Sequence, residues 1–543
     1  MARGRTLRAE SKVVLLAVLV LMAGCTSAAG LATTGQQQVP GPPPTTGSIP
    51  APATAPGSPT GEGSNGAAAP AAPRSPPLGS SIGPGPSAAT TPRSGRDVIG
   101  SAGIGDPYYP TAGNGGYNVA GYDVDLMYLP GSGALTATTT VTAAVTSADA
   151  LQRFDFDLQP TLKVSAITIN GAPATFSQRK AELVVTPATP LPARSEFTAK
   201  VTYHGTPTLI KGGTAGLGDG GWYHTKSGGA LVAGEPFSAS AWYPANEHPS
   251  DPATFAVTAT VPTKWQVISG GVQQTSGLPA APVGMHTVRW VESVPIATYL
   301  TTLWIDTFTV RSGQLPDGRP VESALAAGDV KDRSLHDETP AVLTLLTKYF
   351  GPYPFPAVGG IYSNENIPFA LETATRPVYA NWVNLDTVVH ELAHQWYGDD
   401  VIIDRWSDVC LNECFASYAP WLWHADMDGK NLDQQWKRLM ASAAANPEFW
   451  QSPLVDMGPG NEFGAVYQRG PLALHVLRKA MGDTEFFAFL KKWPATYGGR
   501  NASFDAFEAM ASQLAGRDLS QLFRIWFRGT TTPTKADYPA DLQ

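Results

Sequence analysis

The stretch that decides how this chain is read is His390-Glu391-Leu392-Ala393-His394, followed downstream by Leu411-Asn412-Glu413. Two histidines four apart on a helix lie one turn apart on the same face. Neutral imidazoles so placed can grip one Zn²⁺, and Glu391 then sits beside the open coordination position as a candidate general base. Glu413, on a second helix, supplies a third ligand. Two His and one Glu leave a position open, the ligand set of a catalytic centre and not of a closed structural one. The alternative is a chance pattern on an amphipathic helix. With 9 His in 543 residues, such a pair around a Glu is improbable, and the downstream Glu makes it more so.

The segments around the motif support two helices. Asn384 or Asp386 can cap the first, whose register puts Val389, Ala393 and Trp396 in packing positions. Phe415 and Tyr418 anchor the second. Asp408 either orients a ligand histidine or caps that second helix. Further out, helical patterns cover Ala341 to Phe350, Leu385 to Tyr397, Asn412 to Asp426 with Pro420 as a kink, Gly464 to Met481, Asp483 to Trp493 and Leu519 to Arg528. Before about Gly313 the pattern is different. Short alternating runs such as Tyr122-Asp123-Val124-Asp125-Leu126 and Phe197-Thr198-Ala199-Lys200-Val201, with Gly, Pro and Asn between them, read as an antiparallel β-domain. The fold class is therefore multidomain α+β: a β-domain over 105–312 and a mainly α catalytic domain over 313–543.

The N-terminus carries different signals. Arg3, Arg5, Arg8 and Lys12 precede the apolar run Val13 to Ala23, which is too short to span a bilayer as a mature helix. Leu21-Met22-Ala23-Gly24-Cys25 resembles a bacterial lipobox. Residues 1–25 thus read as a lipoprotein-type signal with Cys25 as the lipidated residue and a membrane as partner; an ordinary secretory signal is the alternative. Both place the protein outside the cytoplasm. Residues 26–104 are rich in Pro, Ala, Gly, Ser and Thr and cannot bury a core. They read as a disordered tether of roughly 50 Å root-mean-square span, or as an extension with no role. The net charge of −8 offers no basic stripe and excludes nucleic acid as a partner. Of 3 Cys, Cys410 and Cys414 flank Glu413. Two buried thiols are the simpler reading, and a bridge is the alternative in an exported chain.

His390 to Gly398 (His-Glu-Leu-Ala-His-Gln-Trp-Tyr-Gly), with Leu411-Asn412-Glu413-Cys414-Phe415-Ala416, resembles the aminopeptidase N and leukotriene-A hydrolase family of zinc metallopeptidases. Ala370-Leu371-Glu372-Thr373 is similar to that family's Gly-Ala-Met-Glu-Asn strand, so Glu372 is expected to bind a substrate's free α-ammonium. Gly234-Glu235-Pro236 with Trp242-Tyr243-Pro244 is similar to the segment whose Glu also reaches the amine, which assigns that role to Glu235. Val466-Tyr467-Gln468-Arg469-Gly470 resembles the family's Tyr-x-Lys-Gly and makes Tyr467 the transition-state donor. Gly115-Gly116-Tyr117 with Tyr122 to Leu126 resembles the opening of the N-terminal domain.

The resemblance implies a thermolysin-like catalytic domain, one Zn²⁺ held by His390, His394 and Glu413, Glu391 as base, and peptides with a free N-terminus as substrates. Thr373 departs from the family Asn, Ala233 from a common Gln, and Cys410 and Cys414 from a Trp and a Gly. With the chain ending at Gln543, the helical domain that roofs larger members is not expected, and the cleft should be more open. The expected activity is aminopeptidase; an endopeptidase or another hydrolase at the same zinc, and a surface binding protein without turnover, are the alternatives.

Overall fold

Apolar and polar residues alternate along Tyr117–Leu129 and Ala134–Val145, so each strand buries one face. They pair antiparallel at the centre of an eight-stranded sheet. The order across it is Val272–Gln274, Met285–Ile296, Ala253–Pro262, Tyr117–Leu129, Ala134–Val145, Glu196–Gly205, Leu162–Ile169 and Ala172–Pro173. The expected antiparallel arrangement holds along it except where Tyr117–Leu129 meets Ala253–Pro262, a parallel pairing. A second, five-stranded sheet includes Gly220–His224, Ala230–Ala233 and Leu303–Asp306. The structure is a computed structural model that describes residues 98–327 and 331–543. The leader at 1–25, Cys25 and nearly all of the tether at 26–104 lie outside the described residues.

Strands continue past Gly313. Phe308–Gln314 and Pro320–Ala326 form a hairpin that joins Ile361–Tyr362 and Val378–Tyr379 in a four-stranded sheet. The alanines and Ser323 of that last hairpin strand are weak strand formers, so cross-strand pairing and burial decide it, not propensity. Eight helices are described: α1 Lys331–Phe350, α2 Leu385–Ala393, α3 Cys410–Asp428, α4 Leu432–Ala444, α5 Val466–Met481, α6 Asp483–Tyr497, α7 Phe504–Leu514 and α8 Ser520–Trp526. Helix α2 stops short of Tyr397, because the amides of Gln395 and Trp396 turn back to carbonyls three residues earlier and Gly398 adopts φ +131°. Pro420 lies within α3 without ending it. Among the described residues no helix is long and apolar enough to cross a membrane.

Two apolar cores result. One fills the β-part around Val124, Phe154, Phe156 and Trp242; the other fills the helical part around Leu392, Trp396, Phe415 and Phe507. A polar strap crosses between them. Asp106, 4% exposed, accepts hydrogen bonds from the amides of Tyr108 (2.7 Å) and Trp406 (3.0 Å), and His248 Nε2 lies 3.1 Å from it. Burial alone would raise its pKa, but the His248 contact and the two amides hold it below the usual carboxylate value. Removing one member of such a buried pair strands the other. Asp106→Ala is therefore expected to lower the unfolding free energy by about 3–5 kcal/mol. Urea denaturation checks it, and a loss of under about 1 kcal/mol would contradict the strap's role.

Candidate active site

Asn384 caps α2 by accepting the Thr387 amide at 3.0 Å, with Thr387 completing a capping box. This fixes where the helix starts and hence which face carries His390 and His394. Val389 and Ala393 are fully buried, as the register requires. The turn after α2 returns its chain to α3: Tyr397 stacks on Phe415 with centroids 4.3 Å apart. That contact sets the spacing between the helix bearing the two histidines and the helix bearing Glu413.

Three donor atoms converge there. His390 Nε2 lies 3.1 Å from Glu413 Oε2, His394 Nε2 lies 3.4 Å from the same oxygen, and the two nitrogens are 3.2 Å apart. Donors about 2.0–2.1 Å from a tetrahedral zinc would sit roughly 3.3 Å from one another, so this triangle fits the ion without movement. His394 Nδ1 lies 3.1 Å from the carbonyl of Tyr397. Donating its proton there leaves Nε2 free as a ligand. Asp408 is not the orienting group. Its carboxylate accepts the Phe504 amide at 3.1 Å, in the first turn of α7, whose cap is Ser503.

Charge in the site is one-sided. Glu372, Glu391 and His394 bring their atoms within 4.8 Å of one another. Burial, then the field of neighbouring carboxylates, pushes Glu235 well up, and burial also leads the upward shifts of Glu372 and Glu391. Burial pushes His394 down, but Glu372 and Glu413 more than reverse it. Glu413 is held at about 2 although burial opposes it, chiefly by His394 and the hydrogen bond with His390. Glu235 Oε1 is buried and without a partner. Carboxylates crowded this way need cations, and the His390, His394 and Glu413 triangle is spaced for a divalent one.

The residues named from sequence all reach this place. Glu235 follows strand Ala230–Ala233 at a point where Gly234 is obligatory: a Cβ there would lie 2.7 Å from both Gly220 Cα and Phe237 O. Glu372 sits just before Val378–Tyr379, pinned by the Leu371–Val378 bridge. Tyr467, in the first turn of α5, donates to Glu413 Oε1 at 3.2 Å. Arg469 points elsewhere: it is fully buried and donates to the carbonyls of Trp450, Ser452, Trp526 and Gly529, anchoring the start of α5. Thr373 spends its hydroxyl on the Arg376 carbonyl at 2.7 Å.

Sequence reasoning missed three supporting groups. Gln395, fully buried beside His394, donates to the Glu372 carbonyl at 3.1 Å and accepts the Thr375 amide at 2.8 Å. Tyr299 donates to Glu372 Oε1 at 3.4 Å. Thr375 holds φ +66°, a left-handed conformation that is a genuine outlier for a β-branched residue, and accepts the Gly271 amide at 2.6 Å. The only available signal was Gln395, a long amide next to a ligand histidine on a buried helix. Cys410 and Cys414 are joined as a disulfide, which corrects the simpler reading of two buried thiols.

Residues 360–526 match the Peptidase family M1 domain and residues 121–300 the Peptidase M1 N-terminal domain. The chain is 24% identical over 331 residues to Aminopeptidase M1-B of Oryza sativa subsp. japonica, covering 55% of this chain and 36% of that protein. It is 25% identical over 315 residues to Aminopeptidase N of Streptomyces lividans, covering 52% and 36%. The chain thus spans about a third of the length of these relatives. The crystal structure of an M1 zinc metallopeptidase from Deinococcus radiodurans has a TM-score of 0.73 at 31% identity, covering 80% of this chain and 98% of that one. A mutant of that enzyme bound to a Tyr-Ser-Ala substrate gives 0.72 at 31% identity, covering 81% and 100%.

Proposed function

The chain belongs to the M1 family of zinc metallopeptidases, and on that premise we propose that it is an exported aminopeptidase that removes N-terminal residues from peptides. The observation that carries this reading is the pair of buried carboxylates, Glu235 and Glu372, set beside a zinc-spaced His390, His394 and Glu413 triangle. The ion is Zn²⁺, the family's metal; when bound it polarises a water and the scissile carbonyl.

The rest is done by side chains. Glu235 and Glu372 hold the substrate ammonium, whose desolvation only anionic partners offset. This fixes the first residue so that its carbonyl lies over the centre. Glu391 takes the proton of the attacking water and returns it to the leaving amine. Tyr467 donates to the oxygen on which negative charge develops. Burial and then Glu413 push the Tyr467 hydroxyl well above its ordinary pKa, so it stays a donor at working pH. Mass spectrometry of a digested hexapeptide tests the reading: free amino acids should appear stepwise from the N-terminus, and an internal cut as the first product would favour an endopeptidase.

Glu372→Gln keeps the shape and removes the charge that meets the ammonium. A buried charge partner of this kind is worth about 2–5 kcal/mol, so kcat/KM for a free peptide is expected to fall by roughly 10²-fold or more. A change under about threefold would discard the amine-binding role.

Export is supported by the charged and apolar leader, and a lipid on Cys25 by Leu21-Met22-Ala23-Gly24-Cys25. Cys25→Ser should move the protein from the membrane fraction to the soluble one; unchanged membrane association would refute the anchor.

A further inference from the structure

Helix α3 begins without a conventional cap. Val409 occupies the capping position and makes no side-chain hydrogen bond to the first turn. Its backbone is closed instead by the Asn412 and Glu413 amides, which both donate to the Val409 carbonyl at 3.0 Å. This turn carries Glu413, the carboxylate of the donor triangle. A covalent link closes it a second time: Cys410 and Cys414, 1% and 0% exposed, form a disulfide that encloses Glu413 within its ring.

The same cystine backs a second functional element. A Cβ on Gly470 would lie 2.8 Å from Cys414 Sγ and 2.9 Å from Cys414 Cα. Only glycine admits α3 this close to α5. Gly470 is one helical turn beyond Tyr467, and the Tyr467 hydroxyl bonds Glu413 Oε1 at 3.2 Å. The disulfide therefore abuts the turn that holds a metal donor and the turn that aims the hydroxyl. Neither sulfur belongs to the donor set.

We propose that the Cys410–Cys414 cystine is a positioning element of the metal centre and makes that centre redox-sensitive. Oxidised, it holds Glu413 and Tyr467 in register. A dithiol reductant supplies two electrons and two protons, the S–S bond breaks, two thiols form, and the reductant closes to its own disulfide. The freed turn then loosens the carboxylate and the hydroxyl together. Only the turnover arm below rests on the proposed peptidase reading.

The test uses the full chain. The protein is reduced with dithiothreitol, freed of reductant under argon, and its Cys410 and Cys414 thiols are counted by alkylation and peptide mass. Zinc is then titrated in competition with a chelating dye. Groups that orient a ligand typically contribute 10–100-fold to metal affinity, so reduction is expected to weaken zinc binding by about tenfold or more and to lower kcat more than it changes KM. Reoxidation should restore both.

The Cys410→Ala, Cys414→Ala double variant should show the weakened affinity and no response to dithiol; it decides the matter where reductant fails to reach the buried pair. Zinc affinity within twofold of wild type, in confirmed reduced protein or in the folded double variant, would overturn the proposal. Loss of the far-UV circular dichroism signal on reduction would also overturn it, since the cystine would then hold the fold and not the centre. Weakened zinc binding in a protein that never cleaved peptides would support the positioning role and count against the peptidase reading alone.

Discussion

Glu391→Gln is expected to keep its zinc and lose roughly 10³-fold or more in kcat, within the range general acid–base catalysis supplies. The two halves of that result have separate causes. Zinc is retained because Glu391 is not one of the three donors His390, His394 and Glu413, whose spacings of 3.1, 3.4 and 3.2 Å do not involve it. Gln is nearly isosteric, so the buried site, in which Glu391 is 5% exposed, gains no cavity. Activity is lost because an amide cannot accept the water proton and return it. Burial first, then Glu372 and Glu413, press the Glu391 pKa upward against the opposing pull of His394. Kinetics beside metal analysis checks both halves. Activity within tenfold of wild type would move the base elsewhere, and loss of zinc would mean that Glu391 is a ligand.

Tyr467→Phe should cost about 10²–10³-fold in kcat with little change in KM, the signature of an interaction made mainly in the transition state. The ring is held independently of its hydroxyl, stacked on Phe463 with centroids 6.5 Å apart and set 5.9 Å from the His390 ring. Phe therefore fills the same place. What disappears is one donor, bonded in the free enzyme to Glu413 Oε1. An equal rise in KM with unchanged kcat would instead mark Tyr467 as a ground-state contact.

The metal donors were legible from sequence because helical periodicity alone puts His390 and His394 on one face. Glu413 was legible as a ligand type at a plausible distance along the chain. Glu235, Glu372 and Tyr467 were reachable only through the family resemblance, since they come from three separate elements and no local spacing links them. Of the groups that brace them, only Gln395, next to a ligand histidine, left any signal in the sequence. Gln395 acts through the backbone of Glu372, and Thr375 is held by Gly271 from the β-part, contacts that exist only after the chain has folded. Asp408 illustrates the limit: an acidic residue before a helix fits two local roles, and the tertiary position of Phe504 decided for neither. The β-domain was readable from alternation, whereas the strand Pro320–Ala326 was not, because its partner and its burial define it more than its composition does.

In the proposed reading, the paired carboxylates Glu235 and Glu372 turn a zinc hydrolase centre into one that demands a free N-terminus. The most direct measurement is kcat/KM for a tetrapeptide and its N-acetylated twin, using the zinc-loaded full chain. Acetylation removes the ammonium that Glu235 and Glu372 are proposed to meet. Cleavage of the free peptide should be at least about 10²-fold faster, as expected for leaving buried charges unpaired. Equal cleavage of the two would contradict it.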